Sequence, residues 1–356
     1  MGTLFTPEKY FEIKNDSDIT EKIIQDILTE NTERVQVRLR KLNLTDYGWK
    51  KLNDEIFKIK PTIKLRLYAG EELDLTFLKN LPDLENLSLE LHTLGNDAEI
   101  AQLKKLKNFS LVSNQTDFSF LHNLECPLET LFIATDESKY AKSDLSAILK
   151  FKQLKSLSVG RYNKNLAQIV TALPELEELV LTSVSALKNI NFITEKQTLK
   201  KLQLNQCGID DYDSIKNLKN LKALGLSRPA KLESLDFISE LTDLQYLFLQ
   251  TVNNPTKFPN IGHLHKLKRV VLYSVKSIMD FSTLSKATSL KEFAFYDIQG
   301  QKPQDFLPII RNKSIGKVYL WYFKSGLRKE TDQLLADNGR QNENVNYYND
   351  LDLEYK

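Results

Sequence analysis

Few residues in the sequence have types and spacings that could support catalysis. His263 and His265 could share one face of an extended segment and approach a metal ion, but no third ligand lies near them in the sequence. Asp210, Asp211 and Asp213 resemble the start of a calcium loop that lacks its glycine and its final glutamate. The sequence contains no P-loop, no Gly-x-Ser-x-Gly and no Cys-x-x-Cys. We therefore expect no enzymatic activity, no cofactor and no metal.

Aromatic side chains in the last third of the chain indicate a different chemistry, the binding of another protein. They occupy alternate positions of short apolar stretches that are typical of β-strands, on the side opposite the leucines of the same stretches. Aromatic residues and arginine are enriched in protein-binding hot spots because they bury a large area with few rotatable bonds. The predicted partner-binding residues are Tyr246, Phe248, Arg269, Tyr273, Tyr296, Tyr319 and Trp321.

The same aromatic residues could instead be purely structural, for either of two reasons. Tyrosine and phenylalanine favour strands with or without a partner. The C-terminal end of the chain could also fold over them. Their concentration in four adjacent copies of one pattern favours binding, because strand propensity alone would scatter them along the chain.

A basic region near the N-terminus predicts a secondary contact. Between Glu33 and Arg66, ten lysines and arginines face four acidic residues, a local excess of six positive charges. Arg38, Lys64 and Arg66 occupy outward strand positions and are therefore predicted to contact an acidic surface of a partner. The alternative is a solvated end of the molecule. The excess does not persist along the chain, which disfavours a surface that tracks phosphates.

These side chains are positioned by a repeated hexamer of the form Leu-x-x-Leu-x-Leu, whose copies start 22 to 26 residues apart. The leucines at positions one, four and six are predicted to face a core, and positions three, five and seven to face outward. A strand at 35–39 is predicted to precede the copies. The copies begin at Thr62 (degraded), Leu84, Leu106, Leu128, Leu154, Leu176, Leu199, Leu221, Leu244, Leu267, Leu290 and Ile315.

The copy at Leu199, LKKLQLNQCGIDDYDSIKNLKNL, resembles one leucine-rich repeat, a strand followed by a helical or 3₁₀ connection. The set resembles the short repeats of phosphatase-regulatory subunits and bacterial internalin-type proteins. Those families keep an asparagine at the ninth position, whereas here Asn114 and Cys207 occur once each and apolar residues such as Val252 replace them elsewhere. The resemblance implies an α/β solenoid, or horseshoe, of about 12–13 repeats, with a parallel sheet on its concave side and a helical N-terminal cap.

We predict three segments: an N-terminal helical cap at 1–33, the solenoid at 34–323, and a C-terminal cap and tail at 324–356. The first contains Ile19, Ile23 and Ile27 at helical spacing after a capping Asp-Ser-Asp. In the last, Leu327–Ala336 is predicted to be a capping helix that ends at Asn338-Gly339. A solenoid needs such caps because its terminal repeats would otherwise expose the leucine core.

Composition restricts the class of protein further. The formal net charge of +2 disfavours a general nucleic-acid or membrane role, and no apolar run reaches the roughly 18 residues of a membrane span. Cys126 and Cys207 lie three to four repeats apart, beyond disulfide reach, which favours a reducing compartment. The start of the sequence lacks a basic segment followed by an apolar one, so we predict no signal peptide and a cytoplasmic location.

Together these features predict a non-catalytic scaffold, monomeric when free, that binds a partner protein through its concave face. Within this class, the resemblance implies either a regulatory subunit or a bacterial immunity, effector-type or host-interaction protein. A different class stays open, namely the recognition arm of a multi-subunit enzyme or a nucleic-acid sensor. The near-neutral charge disfavours the sensor.

Overall fold

The computed structural model describes residues 10–30, 32–38, 44–68, 72–115 and 117–345; the side chains of Val37, Arg38 and Tyr140 lie outside this description. The chain divides into two compact units, residues 1–176 and 177–356. This division differs from the predicted boundaries at 33 and 323, which stay predictions.

Parallel strands form the framework of the first unit. Its described strands are Tyr10–Ile13 (β1), Arg34–Arg38 (β2), Lys64–Tyr68 (β3), Leu73–Asp74 (β4), Asn86–Glu90 (β5), Leu94–Gly95 (β6), Asn108–Val112 (β7), Thr130–Ala134 (β8) and Ser156–Gly160 (β9). The two shortest, β4 and β6, pair with each other, and the others form one parallel sheet in chain order.

The second unit repeats the arrangement. Its described strands pair in parallel and in chain order, with corresponding hexamer positions aligned. These strands are Glu178–Thr182 (β10), Lys201–Asn205 (β11), Ala223–Ser227 (β12), Tyr246–Gln250 (β13), Arg269–Tyr273 (β14), Glu292–Ile298 (β15) and Lys317–Tyr322 (β16).

Short helices and 3₁₀ turns return the chain from one strand to the next. The α-helices are Glu21–Thr29 (α1), Asp46–Leu52 (α2), Phe120–Asn123 (α3), Leu166–Ala172 (α4), Leu307–Ile310 (α5) and Ser325–Asp337 (α6), and a π-helical turn at Asn53–Phe57 follows α2. The 3₁₀ turns are Asp16–Asp18, Thr76–Asn80, Asp97–Gln102, Ser138–Tyr140, Ser146–Lys150, Asn191–Ile193, Asp213–Asn217, Asp236–Glu240, Ser282–Lys286 and Pro303–Phe306.

The leucines of the hexamers form a continuous buried row in the second unit. Leu202 pairs with Leu224, Leu224 with Leu247, and Leu247 with Val270 across successive strands. All four side chains are fully buried. Since burial of one such side chain stabilises by about 1.5–3 kcal/mol, the stability of the unit grows with each added repeat.

A row of left-handed residues accompanies the strands of the second unit. Ser183, Gln206, Arg228, Thr251, Ser274 and Asp297 have φ between 47° and 57°. The backbone N–H of each of the first five donates to a carbonyl of the next strand, for example from Thr251 to Tyr273 at 2.9 Å. None of the six is glycine, so a conformation that costs roughly 1–2 kcal/mol per residue is held in those five by this hydrogen bond to the next repeat.

At the N-terminus, the structure adds a strand that the sequence pattern did not predict. Residues Tyr10–Ile13 form β1 beside β2, so the segment 1–33 is not helical throughout. Helix α1 begins after Thr20, whose hydroxyl accepts from the N–H of Ile23 at 3.2 Å. Asp16–Asp18, the expected helix start, forms a separate 3₁₀ turn instead, and Asp16 accepts a hydrogen bond from the N–H of Thr45 at 3.0 Å.

Candidate protein-binding surface

The structure brings the seven predicted contact residues together on adjacent strands, β13 to β16. Alternation along each strand turns them to the sheet face opposite the leucine row. In register, Tyr246 pairs with Arg269, Tyr273 with Tyr296, and Ala294 with Tyr319. We call this surface the aromatic face; it consists of Tyr246, Phe248, Arg269, Tyr273, Tyr296, Tyr319 and Trp321.

Three tyrosines form the partly accessible part of the aromatic face. The rings of Tyr273 and Tyr296 stack with centroids 6.2 Å apart, and the ring of Tyr319 lies 5.0 Å from that of Tyr296 at an angle of 52°. Next to them, Trp321 meets Phe323 edge to face at 4.4 Å, and Phe323 is exposed. Neighbouring aromatic rings with a shared apolar floor are typical of a protein-binding hot spot.

That floor is an apolar cluster in which two of the predicted contact residues are themselves buried. Tyr246 is 1% exposed and Phe248 is 7% exposed, whereas Tyr273, Tyr296 and Tyr319 are half-buried and pack against the cluster. Tyr246 and Phe248 are therefore covered by neighbouring side chains in this structure, and the three tyrosines are the more accessible part of the aromatic face. The cluster comprises Ala223, Tyr246, Phe248, Val271, Ala294 and Val345.

Val345 brings a part of the chain that follows α6 into this cluster. We call residues 340–345 the C-terminal segment. At its start, the guanidinium of Arg340 donates to the carbonyls of Ile310 at 2.5 Å, Asn312 at 2.6 Å and Ile315 at 2.6 Å. Partial burial lowers the pKa of this guanidinium, which stays charged at neutral pH.

Further along, the C-terminal segment pairs with β16. The side chain of Asn342 accepts from the N–H of Leu320 at 2.9 Å and donates to the carbonyl of the same residue at 3.0 Å. The N–H of Glu343 donates to the carbonyl of Val318 at 3.0 Å.

The segment then reaches β15. There the hydroxyl of Tyr296 lies 3.1 Å from Asn344 Oδ1 and also contacts the carbonyl of Val345. The alternative in which the C-terminal end of the chain folds over the aromatic residues is thus observed at Tyr296. The chain covers part of the surface that the sequence pattern assigns to a partner.

The charge of Arg269 is matched within the sheet. Its Nε and Nη2 contact Glu292, and Lys317 lies 3.5 Å from the same carboxylate. These residues occupy one row across β14, β15 and β16, beside Tyr246. The Arg269 and Glu292 side chains are 17% and 19% exposed, so the pair is shielded more than an ordinary surface pair.

Two solved bacterial structures are similar to this chain. An internalin from Listeria monocytogenes strain 4b F2365 is 19% identical, with 76% of this chain and 82% of that chain covered and a TM-score of 0.50. A leucine-rich repeat protein from Leptospira interrogans is 18% identical, with 87% of this chain and 81% of that chain covered and a TM-score of 0.52. No protein-family model and no curated protein matches the sequence.

Both similarities agree with the repeated unit of strand and 3₁₀ return described above. The chain is a leucine-rich repeat solenoid. The predicted leucine-rich repeat fold, of the α/β class with a parallel sheet, is confirmed. At such low identity the similarity concerns the fold.

Among the helices described for the solenoid, none has both the length and the apolarity that crossing a bilayer requires.

The predicted basic contact is only partly available in the solenoid. Arg66 forms a bidentate ion pair with Glu90, in which Nε lies 2.7 Å from Oε1 and Nη2 lies 2.6 Å from Oε2. Its Nη1 donates to Gln36 Oε1 at 2.9 Å. The charge of Arg66 is therefore matched by a carboxylate on the neighbouring strand β5. Lys64 is half-buried on β3, and the Arg38 side chain lies outside the described residues.

Sequence reasoning missed two kinds of residue at this site. Alternation predicts that Val271 and Ala294 face outward, but they were not among the predicted contact residues because small and aliphatic residues there carry no obvious role. Val345 lies eight residues beyond the end of α6, and no repeat pattern extends to it. Only its position in the folded chain reveals that it joins the apolar cluster.

Proposed function

We propose that this solenoid is a non-catalytic scaffold that binds another protein through the aromatic face. The observation that carries the proposal is the run of half-buried rings of Tyr273, Tyr296 and Tyr319 on three neighbouring strands. The sheet holds these rings in place before binding, so little entropy is lost in ordering them when a partner binds. As part of the same proposal, the protein acts in the cytoplasm, which two free thiols support.

The row of charged side chains on β14 to β16 is proposed to orient the bound partner more than to raise its affinity. This row consists of Arg269, Glu292 and Lys317. A paired arginine contributes little net attraction, but the alternating signs fix how a partner's charges align with the rings. Lys64 on the first unit is proposed to provide a separate contact with an acidic partner surface, while Arg66 acts through its pair with Glu90.

The test uses a partner isolated with the full chain and confirmed by direct titration. Replacement of Tyr273 and Tyr296 by Ala is expected to weaken its affinity at least tenfold, because two stacked rings are lost from the surface. Tyr47→Ala serves as the matched control, since Tyr47 is 70% exposed and belongs to helix α2 and not to a strand. An affinity equal to that of the wild type in the double variant would reject the aromatic face as the binding site.

A further inference from the structure

The C-terminal segment continues past the point where the end of the solenoid is sealed. Helix α6 buries Thr331 and Leu335 completely, and Arg340 satisfies three backbone carbonyls at the end of the last repeat. These contacts complete a cap without any need for residues beyond Arg340. The chain nevertheless turns back across β16 and places Val345 on the aromatic face.

The contacts of this segment are those that a bound extended peptide would make. The N–H of Glu343 donates to the main-chain carbonyl of Val318, as in the addition of a peptide to a strand, and the side-chain amide of Asn342 bonds both main-chain groups of Leu320. One aliphatic side chain, Val345, enters an apolar cluster and is 3% exposed. The hydroxyl of a tyrosine on β15 contacts the peptide backbone. Backbone pairing combined with one filled side-chain site is the common basis of affinity and specificity in this mode of recognition.

The described contacts of the segment beyond Arg340 are hydrogen bonds of Asn342, Glu343, Asn344 and Val345 and the burial of Val345, and residues 341–345 form no helix or strand of their own. The side chains of Gln341, Glu343 and Asn344 are exposed and that of Asn342 is half-buried, so Val345 is the one residue of these five that is fully enclosed. A segment attached in this way can be released without unfolding the repeats beneath it.

Building on the proposed function, we propose that the C-terminal segment is an intramolecular ligand of the aromatic face. It occupies the site of an extended segment of the partner protein. That partner segment carries an aliphatic side chain and binds by displacing Val345. Because the segment is tethered, its effective concentration at the face is on the order of millimolar. If the form in which the C-terminal segment covers the aromatic face is about 99% populated, the apparent affinity for the partner is lowered about a hundredfold.

The experiment uses full-length variants and a labelled synthetic peptide with the sequence of residues 340–356. Asn342→Ala removes both side-chain bonds to Leu320 and the bond from the same side chain to Asp332 on α6. Val345→Asp places a carboxylate in the apolar cluster. The double variant is expected to bind the peptide at least tenfold more tightly than the wild type does, as measured by fluorescence anisotropy. Gln341→Ala, which alters an exposed neighbour in the same segment, is expected to behave as the wild type.

The peptide itself provides a second comparison. The same peptide with Val345→Asp is expected to lose at least tenfold in affinity for the double variant. Equal binding of the peptide by wild type and double variant, or equal binding of the two peptides, would overturn the inference. Thermal unfolding monitored by circular dichroism checks the fold, and Asn342→Ala alone, with the same expected direction, replaces the double variant if that protein does not fold.

This test is separate from the test of the proposed function because it contains no partner. If the peptide results are as expected but replacement of Tyr273 and Tyr296 leaves partner affinity unchanged, the intramolecular contact is supported and the proposed binding site is rejected. If a partner depends on those tyrosines but binds wild type and double variant equally, the site stands and the competition by the C-terminal segment is rejected.

Discussion

The hydroxyl of Tyr296 contacts the main-chain carbonyl of Val345, a residue 49 positions later in the chain. Tyr296 belongs to the central pair of rings on the aromatic face, so the chain touches its own candidate binding surface at the middle. This contact brings the C-terminal segment onto the sheet, although the repeat pattern gives no sign that residues 296 and 345 are neighbours.

The buried leucine row is expected to be the main source of stability in the second unit. Leu224→Ala should lower the free energy of unfolding by about 2–5 kcal/mol, because it leaves a cavity between two neighbouring repeats. Urea unfolding followed by circular dichroism measures this change. Leu187→Ala is the matched control. Because Leu187 is only half-buried, this substitution should lower the free energy of unfolding clearly less. Equal losses for the two variants would contradict the assignment of the row.

Arg340 is expected to stabilise the C-terminal end of the solenoid. Arg340→Ala should lower the free energy of unfolding by about 2 kcal/mol, since three carbonyls lose a charged donor and one such hydrogen bond contributes about 1.5–3 kcal/mol before solvent screening. Arg340→Lys should recover only part, because an ammonium cannot reach three acceptors with the geometry of the guanidinium. Urea unfolding of the three proteins measures these differences.

The control for this prediction is Arg328→Ala, which removes an exposed arginine from α6. It should change the free energy of unfolding by less than about 0.5 kcal/mol. A loss at Arg328 as large as that at Arg340 would show that the effect comes from net charge and not from the carbonyl contacts.

The left-handed residues are expected to respond to glycine in the direction opposite to ordinary strand residues. Thr251 has φ of 51°, so Thr251→Gly should raise the free energy of unfolding by about 0.5–1 kcal/mol through relief of backbone strain. Thr182→Gly, one position before the equivalent left-handed residue and in regular strand conformation, should lower it by a similar amount. Chemical denaturation measures both changes, and destabilisation by both substitutions would show that Thr251 is not strained.

The two thiols are expected to react slowly with alkylating reagents. Burial raises the pKa of both Cys126 and Cys207 to about 11, so the reactive thiolate is scarce at pH 8. Mass spectrometry after treatment with iodoacetamide should find both residues largely unmodified in the folded protein and modified in urea. Rapid modification of folded protein at pH 8 would contradict the burial of Cys207 and the raised pKa of the half-buried Cys126.

The same pKa shifts predict the direction of a pH effect on stability. An unfolded thiol loses its proton at about pH 8.5, whereas the folded thiols keep theirs until about pH 11. Unfolding is therefore favoured by proton release between these values. The free energy of unfolding should fall from about pH 9 to about pH 11, and Cys207→Ala should reduce the slope that urea unfolding measures in this range. An unchanged slope would show that Cys207 does not contribute.

The sequence predicts the repeats of this protein well because one physical demand recurs in every copy. A strand can bury its leucines only if they alternate, and a parallel neighbour can share the core only if the register is kept. The positions of Leu202, Leu224 and Leu247 follow directly from that demand. Helix α6 and its left-handed Gly339 are likewise predictable, since capping residues act over a few positions.

The features that the sequence did not predict depend on contacts between distant parts of the chain. Strand β1 was missed because Tyr10–Ile13 is too short for a pattern and becomes a strand through pairing with β2. The burial of Tyr246 and Phe248 was missed because it depends on what lies over the sheet and not on the strand itself. The row of left-handed positions along the strands of the second unit was not predicted because none of the six holds glycine or asparagine, the residues that favour positive φ. In five of them the hydrogen bond to the next repeat holds this conformation.

The register between strands has a consequence for how such a protein changes over generations. Starts at Leu199, Leu221 and Leu244 are nearly evenly spaced, and each strand meets the next at equivalent positions. Duplication or loss of one whole copy by unequal recombination would leave the leucine packing intact while moving the tyrosines relative to the end of the chain. New arrangements of the aromatic side chains on the sheet are thus accessible by changes in gene length that the hydrophobic interior tolerates.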